Sequence, residues 1–528
     1  MMIRAFQPSG APETVSTARG GSRRGAVGRP LAVLTLASAM VLGTSAVAAQ
    51  AEEVEYPPGP TVVADPDSPT GYTGHFVYCN PDATSVRFVG DLMLRNWADT
   101  SDTTIYAPSE YKPGLMRGGG GYDVEMTSVG DGCWYTSVPL AAGANQYWFY
   151  VNNNTNLWLA DPANSPIYPP DGLTGTARRA FNKVFVPYDA AKQNFGPLEA
   201  RAIAENPRED SAKGTWTYVE VPGLPLLGGT IPRTIGVYLP PGYDPDRAEP
   251  YKTIYMQHGG GQDQSDWMNM GNVPVIMDNL LDDGVTEPAV VITTNTNSLG
   301  PVGNQAVLGD AYPNLRNVVV PFVEANYNVS TAPIDRAFAG LSAGSFVTQN
   351  LIRDDADFFG YYGPWSGGAS VPVSTPDLVY PYIHYGGGAW DFGLPNANTV
   401  AALDQVAFVE NTVVSGAHDF NAWNQLFTVF ARDYVWQPEA FIADEIGQLK
   451  TAVAATGLNK GNQNALTVRL DQAYTLVERD ENAGAVEVLT GIRDQVSAFT
   501  GNGKLTAEQS AAMLPIIEQL IANLGHWQ

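Results

Sequence analysis

Residues 339–346 (AGLSAGSF) constrain the fold of this chain more than any other stretch, because they set Ser342 between Gly340 and Gly344 after an apolar run and ahead of a helix-like segment. The G-x-S-x-G spacing describes a sharp strand-to-helix turn, whose flanking positions must lack side chains so that strand and helix can approach. Such a turn presents Ser342 as a candidate nucleophile and aims the backbone N–H of Ala343 at the place where an oxyanion would form. In a chain with 54 glycines the motif alone is a weak signal, so its surroundings must decide.

Those surroundings alternate strands with helices. Residues 251–257 read as a buried strand that runs into His258-Gly259-Gly260-Gly261, and a glycine run after a strand leaves the N–H groups of Gly259 and Gly260 bare for an oxyanion. Residues 275–281 read as a helix, 288–294 as a central strand, 318–326 as an amphipathic helix, and 335–339 lead into the serine turn. The pattern implies a mostly parallel sheet covered by helices on both faces. Beyond the serine, a strand over 382–388 ends near Asp391, and 406–414 leads to His418. A serine needs a histidine to take its proton, and the histidine needs a carboxylate to fix its tautomer. Loops at the carboxyl ends of neighbouring strands can bring Ser342, His418 and Asp391 together. Asp357, Asp404 and Asp419 compete for the acid's place; Asp391 is preferred because it follows both a strand and a glycine run.

With 528 residues the chain is expected to hold several domains, and 44% hydrophobic with 16% charged residues excludes global disorder. A net charge of -25 without a Lys/Arg cluster in the folded region argues against nucleic acid as a partner. Residues 1–50 read as an export signal: Arg4, Arg19, Arg23, Arg24 and Arg29 precede an apolar run from Leu31 to Val47, and small residues follow. Cleavage is expected near 48–51, giving a secreted product with no membrane span; the export route stays open. Cys79 and Cys133 form an isolated pair that an oxidising compartment would bridge, two buried thiols being the alternative. The five histidines form no metal-ligand cluster, and neither a metal nor a cofactor is expected.

Residues 52–67, rich in Pro, Asp and Glu, read as a disordered entry linker. Short alternating runs at 74–78, 85–89, 133–138 and 146–151 are expected to build a β-sandwich over 70–190. The motifs Val89-Gly90-Asp91, Trp97, Gly132-Cys133-Trp134, 147–151 and 158–162 make it resemble the immunoglobulin-like sandwich that precedes many secreted esterases, and starch-type carbohydrate-binding modules. Trp97, Trp148 and Trp158 suit either sugar stacking or internal packing, the second being favoured. Residues 191–213 read as a linker or a surface-lying connector, 214–436 as the catalytic domain, and 438–528 as a small helical bundle. In the last, Ile442, Ile446, Leu449 and Val453 begin a series of apolar stripes, and Thr506 to Gln509 is a capping box. This region resembles the FIMAH domain of secreted carbohydrate-active enzymes.

As a block, 214–436 resembles the esterase D family of α/β-hydrolases, which includes feruloyl and acetylxylan esterases, enterochelin-type siderophore esterases and mycolyltransferases. The likeness rests on His258-Gly259-Gly260-Gly261 with Asp266-Trp267, on Tyr327-Asn328-Val329, on 336–344, and on Gly416-Ala417-His418-Asp419 with Trp423. Ser345 and Ala417 depart from it, standing where the family usually has glycines. The resemblance implies a triad of Ser342, Asp391 and His418, with Ala343 and either Gly259 or Gly260 as oxyanion donors. His258, Trp267, Trp365, Trp390 and Trp423 could line a substrate pocket, buried packing being at least as good an account of the tryptophans. The expected function is a secreted serine esterase acting on acyl or feruloyl esters of a carbohydrate polymer. A siderophore esterase and an acyltransferase are the alternatives within the enzyme class, and an inactive carbohydrate-binding or adhesion protein is the alternative outside it. The acyl group, the sugar and the oligomeric state are not set by these residues.

Overall fold

Alternation of apolar and polar residues with period two builds the N-terminal part of the chain into antiparallel strands. The computed structural model describes residues 56–164, 182–191, 193, 203–204, 206–226, 230–296, 311–368, 381–394 and 408–526; the expected export segment 1–50 lies outside the described residues. The first strands are β1 (Gly59–Ala64), β2 (Tyr72–Cys79), β3 (Val86–Asn96), β4 (Leu115–Glu125), β5 (Thr127–Gly130), β6 (Cys133–Pro139), β7 (Gly143–Val151) and β8 (Asn182–Val186). They form two four-stranded sheets, ordered β1-β2-β6-β5 and β4-β3-β7-β8. The sheets face each other, since Phe76 of β2 meets Phe88 of β3 at 4.3 Å and Tyr78 of β2 meets Phe149 of β7 at 4.4 Å between ring centroids. A disulfide joins Cys79 to Cys133, directly paired residues of β2 and β6.

Two strands differ from the sequence-based expectation. The stretch 52–67 is not all linker: Thr61, Val62 and Val63 sit in β1, which pairs with β2 from Gly59↔Val77 to Ala64↔Tyr72. Strand β4 was not anticipated, because four consecutive glycines, 118–121, hide its alternation. Trp148 is buried and stacked on Trp158 at 4.1 Å, and Trp97 packs against a small apolar cluster around Leu94 and Tyr111, so these rings engage the protein's own interior.

An eight-stranded sheet follows, made of β9 (Thr215–Glu220), β10 (Thr234–Leu239), β11 (Lys252–Gln257), β12 (Ala289–Thr293), β13 (Arg336–Leu341), β14 (Tyr361–Trp365), β15 (Tyr382–Gly388) and β16 (Phe408–Val414). Its order is β16-β15-β14-β13-β11-β12-β10-β9, parallel from β12 to β16 and antiparallel at β10 and β9. Side chains alternate across it, and so divide between two cores. Ile254 and Met256 of β11, with Ala337 and Ala339 of β13, pack on one face under the helices α1 (Gln264–Asn269), α2 (Val273–Asp282) and, later in the chain, Phe420–Val429. Tyr255 and Phe338 point to the other face, under α3 (Val320–Asn326) and α4 (Ala343–Asp354); the helix Phe420–Val429 is α5. A sheet covered on both sides needs the long apolar runs that the sequence displays.

The expected linker is anchored at particular points, with other residues such as Glu209 and Asp210 exposed. Ile203 and Ala204 are buried, and Asn279 and Asn272 donate to their carbonyls at 2.7 and 2.9 Å. At the other end, α6 (Pro438–Ala454), α7 (Lys460–Val477), α8 (Asn482–Gly501), α9 (Ala507–Ala511) and α10 (Leu514–His526) bury the anticipated stripes. The capping box opens the short α9, and a break at 512–513 separates it from α10. Their core is continuous with that of the sheet: Phe441 meets Tyr382 at 4.8 Å, and Tyr382 and Phe408 begin β15 and β16. The helices therefore sit at the strand starts, at the opposite end of the sheet from the serine turn. Among the described residues no helix is long and apolar enough to cross a membrane.

Phe441 is the aromatic link between these helices and the sheet, and a phenylalanine deleted from such a site costs about 3 kcal/mol. Urea unfolding of Phe441→Ala is expected to show a loss of that size; an unchanged midpoint would mean that the helices are held by other contacts.

Candidate active site

Ser342 occupies the single residue between the end of β13 and the start of α4, with φ 52° and ψ -115°. A side chain at positive φ is strained, and such strain persists only where the surroundings enforce it. Here close packing enforces it: a Cβ on Gly340 would lie 2.3 Å from the Gly344 carbonyl oxygen, and one on Gly344 would lie 2.7 Å from that of Gln257. Strand β11 neighbours both β12 and β13, so the chain changes direction across the sheet there. At such a switch point the loops after the two strands diverge and leave a crevice.

Asp391 follows β15 and His418 follows β16. The Ser342 hydroxyl lies 2.9 Å from His418 Nε2, and His418 Nδ1 lies 2.9 Å from Asp391 Oδ1. A carboxylate can only accept here, so Nδ1 carries the proton and Nε2 accepts from the serine. The Asp391 side chain is fully buried, and it also accepts from the Gly393 N–H at 2.7 Å and from the Ser366 hydroxyl. Ser366 in turn accepts from Trp423 Nε1 at 2.8 Å. The His418 ring stacks on Phe392 at 4.2 Å and meets the Trp423 ring edge-on at 5.2 Å. Phe392 is 85% exposed, so its other face is open to solvent.

Of the candidate oxyanion donors, Gly259 is engaged, since its N–H donates to Gln262 Oε1 at 2.7 Å. The N–H groups of Gly260 and Ala343 have no partner among the described residues. His258 accepts the Thr296 N–H at Nε2, 3.1 Å away, and so donates from Nδ1 to the Gly259 carbonyl at 2.7 Å. A trans peptide sets a carbonyl and the following N–H in opposite directions, so the Gly260 N–H points away from the His258 ring. A Cβ on Gly260 would lie 4.0 Å from that of Ala343, so the two residues are neighbours across the ends of β11 and β13. His258 thus shapes this loop from behind.

The four tryptophans named from sequence separate. Trp267 and Trp365 are core residues, donating to the Gln257 carbonyl and to His384 respectively. Trp423 braces the imidazole, and Trp390 donates to the Asn96 carbonyl of β3 at 2.7 Å. Among the competing acids, Asp419 caps α5 by accepting from Asn421 and Ala422, Asp357 is exposed, and Asp404 lies outside the described residues. His384 is buried, and burial pushes its imidazole down to about 3. Phe392, Ser366 and Gln262 were missed. Their one sequence signal is position, next to Asp391, after β14 and after the glycine run. Among the described residues no group of three or more His, Cys, Asp and Glu is placed to hold a metal.

Residues 230–375 match the family model described as putative esterase. The endo-1,4-beta-xylanase/feruloyl esterase of Xylanibacter ruminicola is 30% identical over 210 residues, which are 38% of this chain and 29% of that protein. Endo-1,4-beta-xylanase Y of Acetivibrio thermocellus is 32% identical over 152 residues, 27% of this chain and 13% of that protein. The chain thus spans less than a third of the length of either relative. Among solved structures, a ferulic acid esterase of Anaeromyces mucronatus aligns with 45% of this chain and 95% of its own at 18% identity and TM-score 0.38. The ferric enterobactin esterase of Salmonella typhimurium aligns with 72% and 97% at 14% identity and TM-score 0.40.

Ser345, where a glycine was expected, is accommodated by a glycine on the facing segment: a Cβ on Gly367 would lie 2.4 Å from Ser345 Cβ. Overpacking of this kind costs about 1–3 kcal/mol. Gly367→Ala is expected to lower the urea midpoint accordingly, and Ser345→Gly in the same chain to restore most of the loss. Additive effects of the two changes would contradict a direct contact.

Proposed function

We propose, from the match of residues 230–375 to the family model described as putative esterase, that this chain is a secreted serine esterase that hydrolyses acyl or feruloyl esters carried on plant-type polysaccharide. The observation that carries the proposal is the unbroken relay from Ser342 through His418 to Asp391; the N–H groups of Gly260 and Ala343, without a partner among the described residues, support an oxyanion hole beside it. Ser342 Oγ attacks the ester carbonyl carbon while its proton passes to His418 Nε2. The oxyanion is held by the N–H groups of Gly260 and Ala343, each donor of this type being worth about 3 kcal/mol to the transition state. Collapse expels the sugar alkoxide, which takes the proton from His418, and leaves the acyl group on Ser342. Water then gives a proton to His418 and its oxygen to the carbonyl, releasing the acid and restoring the serine.

The substrate class is supported by two relatives whose names include a xylanase, one of them also a feruloyl esterase. The open face of Phe392, next to Asp391 and stacked on His418, offers an aromatic acyl group a flat apolar surface. Export is supported by the composition of 1–50 and by the Cys79–Cys133 bridge, which suits an oxidising compartment. In the same proposal 70–190 is a sandwich domain, 214–436 the hydrolase and 438–528 a helical docking domain.

With p-nitrophenyl acetate as substrate, Ser342→Ala is expected to lower kcat by about 10⁴-fold or more without altering the fold. Equal turnover by both proteins would end the esterase proposal. Phe392→Ala is expected to raise KM for methyl ferulate about fivefold, the size of one lost aromatic contact, and to leave that for p-nitrophenyl acetate nearly unchanged. An equal change for both esters would count against aromatic acyl recognition.

A further inference from the structure

The residues immediately before the acid and the imidazole, Trp390 and Ala417, both touch the N-terminal sheet β4-β3-β7-β8. Trp390 Nε1 donates to the Asn96 carbonyl at the end of β3, and the Arg95 guanidinium lies over the Trp390 ring at 4.7 Å. Ala417 packs against β4 at Gly118, where a Cβ would lie 2.9 Å from that of Ala417. Gly118 also has φ 137°, so glycine is required there twice over. Where the family resemblance expected a glycine before the histidine, this chain has Ala417, and the missing glycine stands instead on the opposing β4.

Beside this contact Arg117 ties three elements together. Its Nη1 donates to the Ala144 carbonyl at 2.6 Å, and its Nη2 to the Ala142 carbonyl at 2.9 Å and to Asn421 Oδ1 at 2.7 Å. Asn421 is buried in the first turn of α5, whose cap is Asp419, the residue after His418. The planar guanidinium meets these acceptors in a fixed fork, which a lysine ammonium cannot reproduce.

We propose that the sheet β4-β3-β7-β8 is a built-in part of the catalytic centre, with Arg117 and Asn421 as positioning residues that fix the His418 loop against Ser342. The sheet grips the acid loop through Trp390 and the imidazole loop through Ala417 and Asn421. A module that served only to bind polysaccharide would need neither contact. Misplacement of a reacting group by about 1 Å can cost about a hundredfold in rate. Loosening the grip therefore lowers kcat even for an ester too small to reach the sheet. This role rests on Ser342, Asp391 and His418 being the reacting set.

The test uses the full chain with p-nitrophenyl acetate, together with the rate at which a fluorophosphonate labels Ser342, counted per folded molecule from near-UV circular dichroism. Arg117→Met and Asn421→Ala are expected to lower kcat and the labelling rate about ten- to a hundredfold, with KM changed less than twofold. Asn421→Asp, which keeps an acceptor for the guanidinium, is expected to recover most of the rate. Unchanged kcat and labelling in both variants, with or without a lower melting temperature, would overturn the positioning role. Activity retained by Ser342→Ala in the same assay would instead overturn the esterase proposal beneath it.

Discussion

The whole site depends on one strained peptide turn. Ser342 is held at φ 52° because β13 and α4 meet without room for a side chain at either flanking position. The hydroxyl stands clear of the sheet, and the Ala343 amide, in the first turn of α4, has no partner within its helix. The strained conformation is kept by packing on both sides of the sheet, so the stability of the two apolar cores and the geometry of the turn are one property. Gly259 belongs to this constraint too, since a Cβ there would lie 3.2 Å from that of Ser342.

Around that turn the chain treats glycine as a property of a contact more than of a position. Ser345 faces Gly367, and Ala417 faces Gly118. In each pair one partner has a side chain and the other has none, so the total volume is conserved where two segments cross. Close-packed interiors demand this, because a single extra methylene is felt. It also explains why two departures from the esterase D pattern leave the relay at hydrogen-bonding distances.

The parts legible in the sequence were those with a strong local signal. Long apolar runs ending in glycine placed β11, β13 and β15, and the residues just beyond them include Ser342 and Asp391, now within one relay with His418. The apolar stripes at helical spacing located α6, α7 and α8. What escaped was set by contacts distant in sequence. Glycine-rich β4 takes its order from β3, and β1 takes its order from β2. The engagement of Gly259 depends on Gln262, and although Trp267, Trp365 and Trp423 share one core, Trp423 reaches the His418 ring because it lies on the helix that follows the imidazole loop. Phe392 carried no periodic signal at all, being an exposed ring in a loop.

If Ser342 takes the acyl group, rapid acid quenching during turnover of an aromatic ester traps that group on the protein. Mass spectrometry of the tryptic peptide 337–353, which contains Ser342, Ser345 and Thr348, then reads its position directly. The account predicts a mass increase equal to one acyl group, assigned by fragmentation to Ser342. An acyl group on Ser345 or Thr348, or on another peptide while residue 342 stays unmodified, would contradict it.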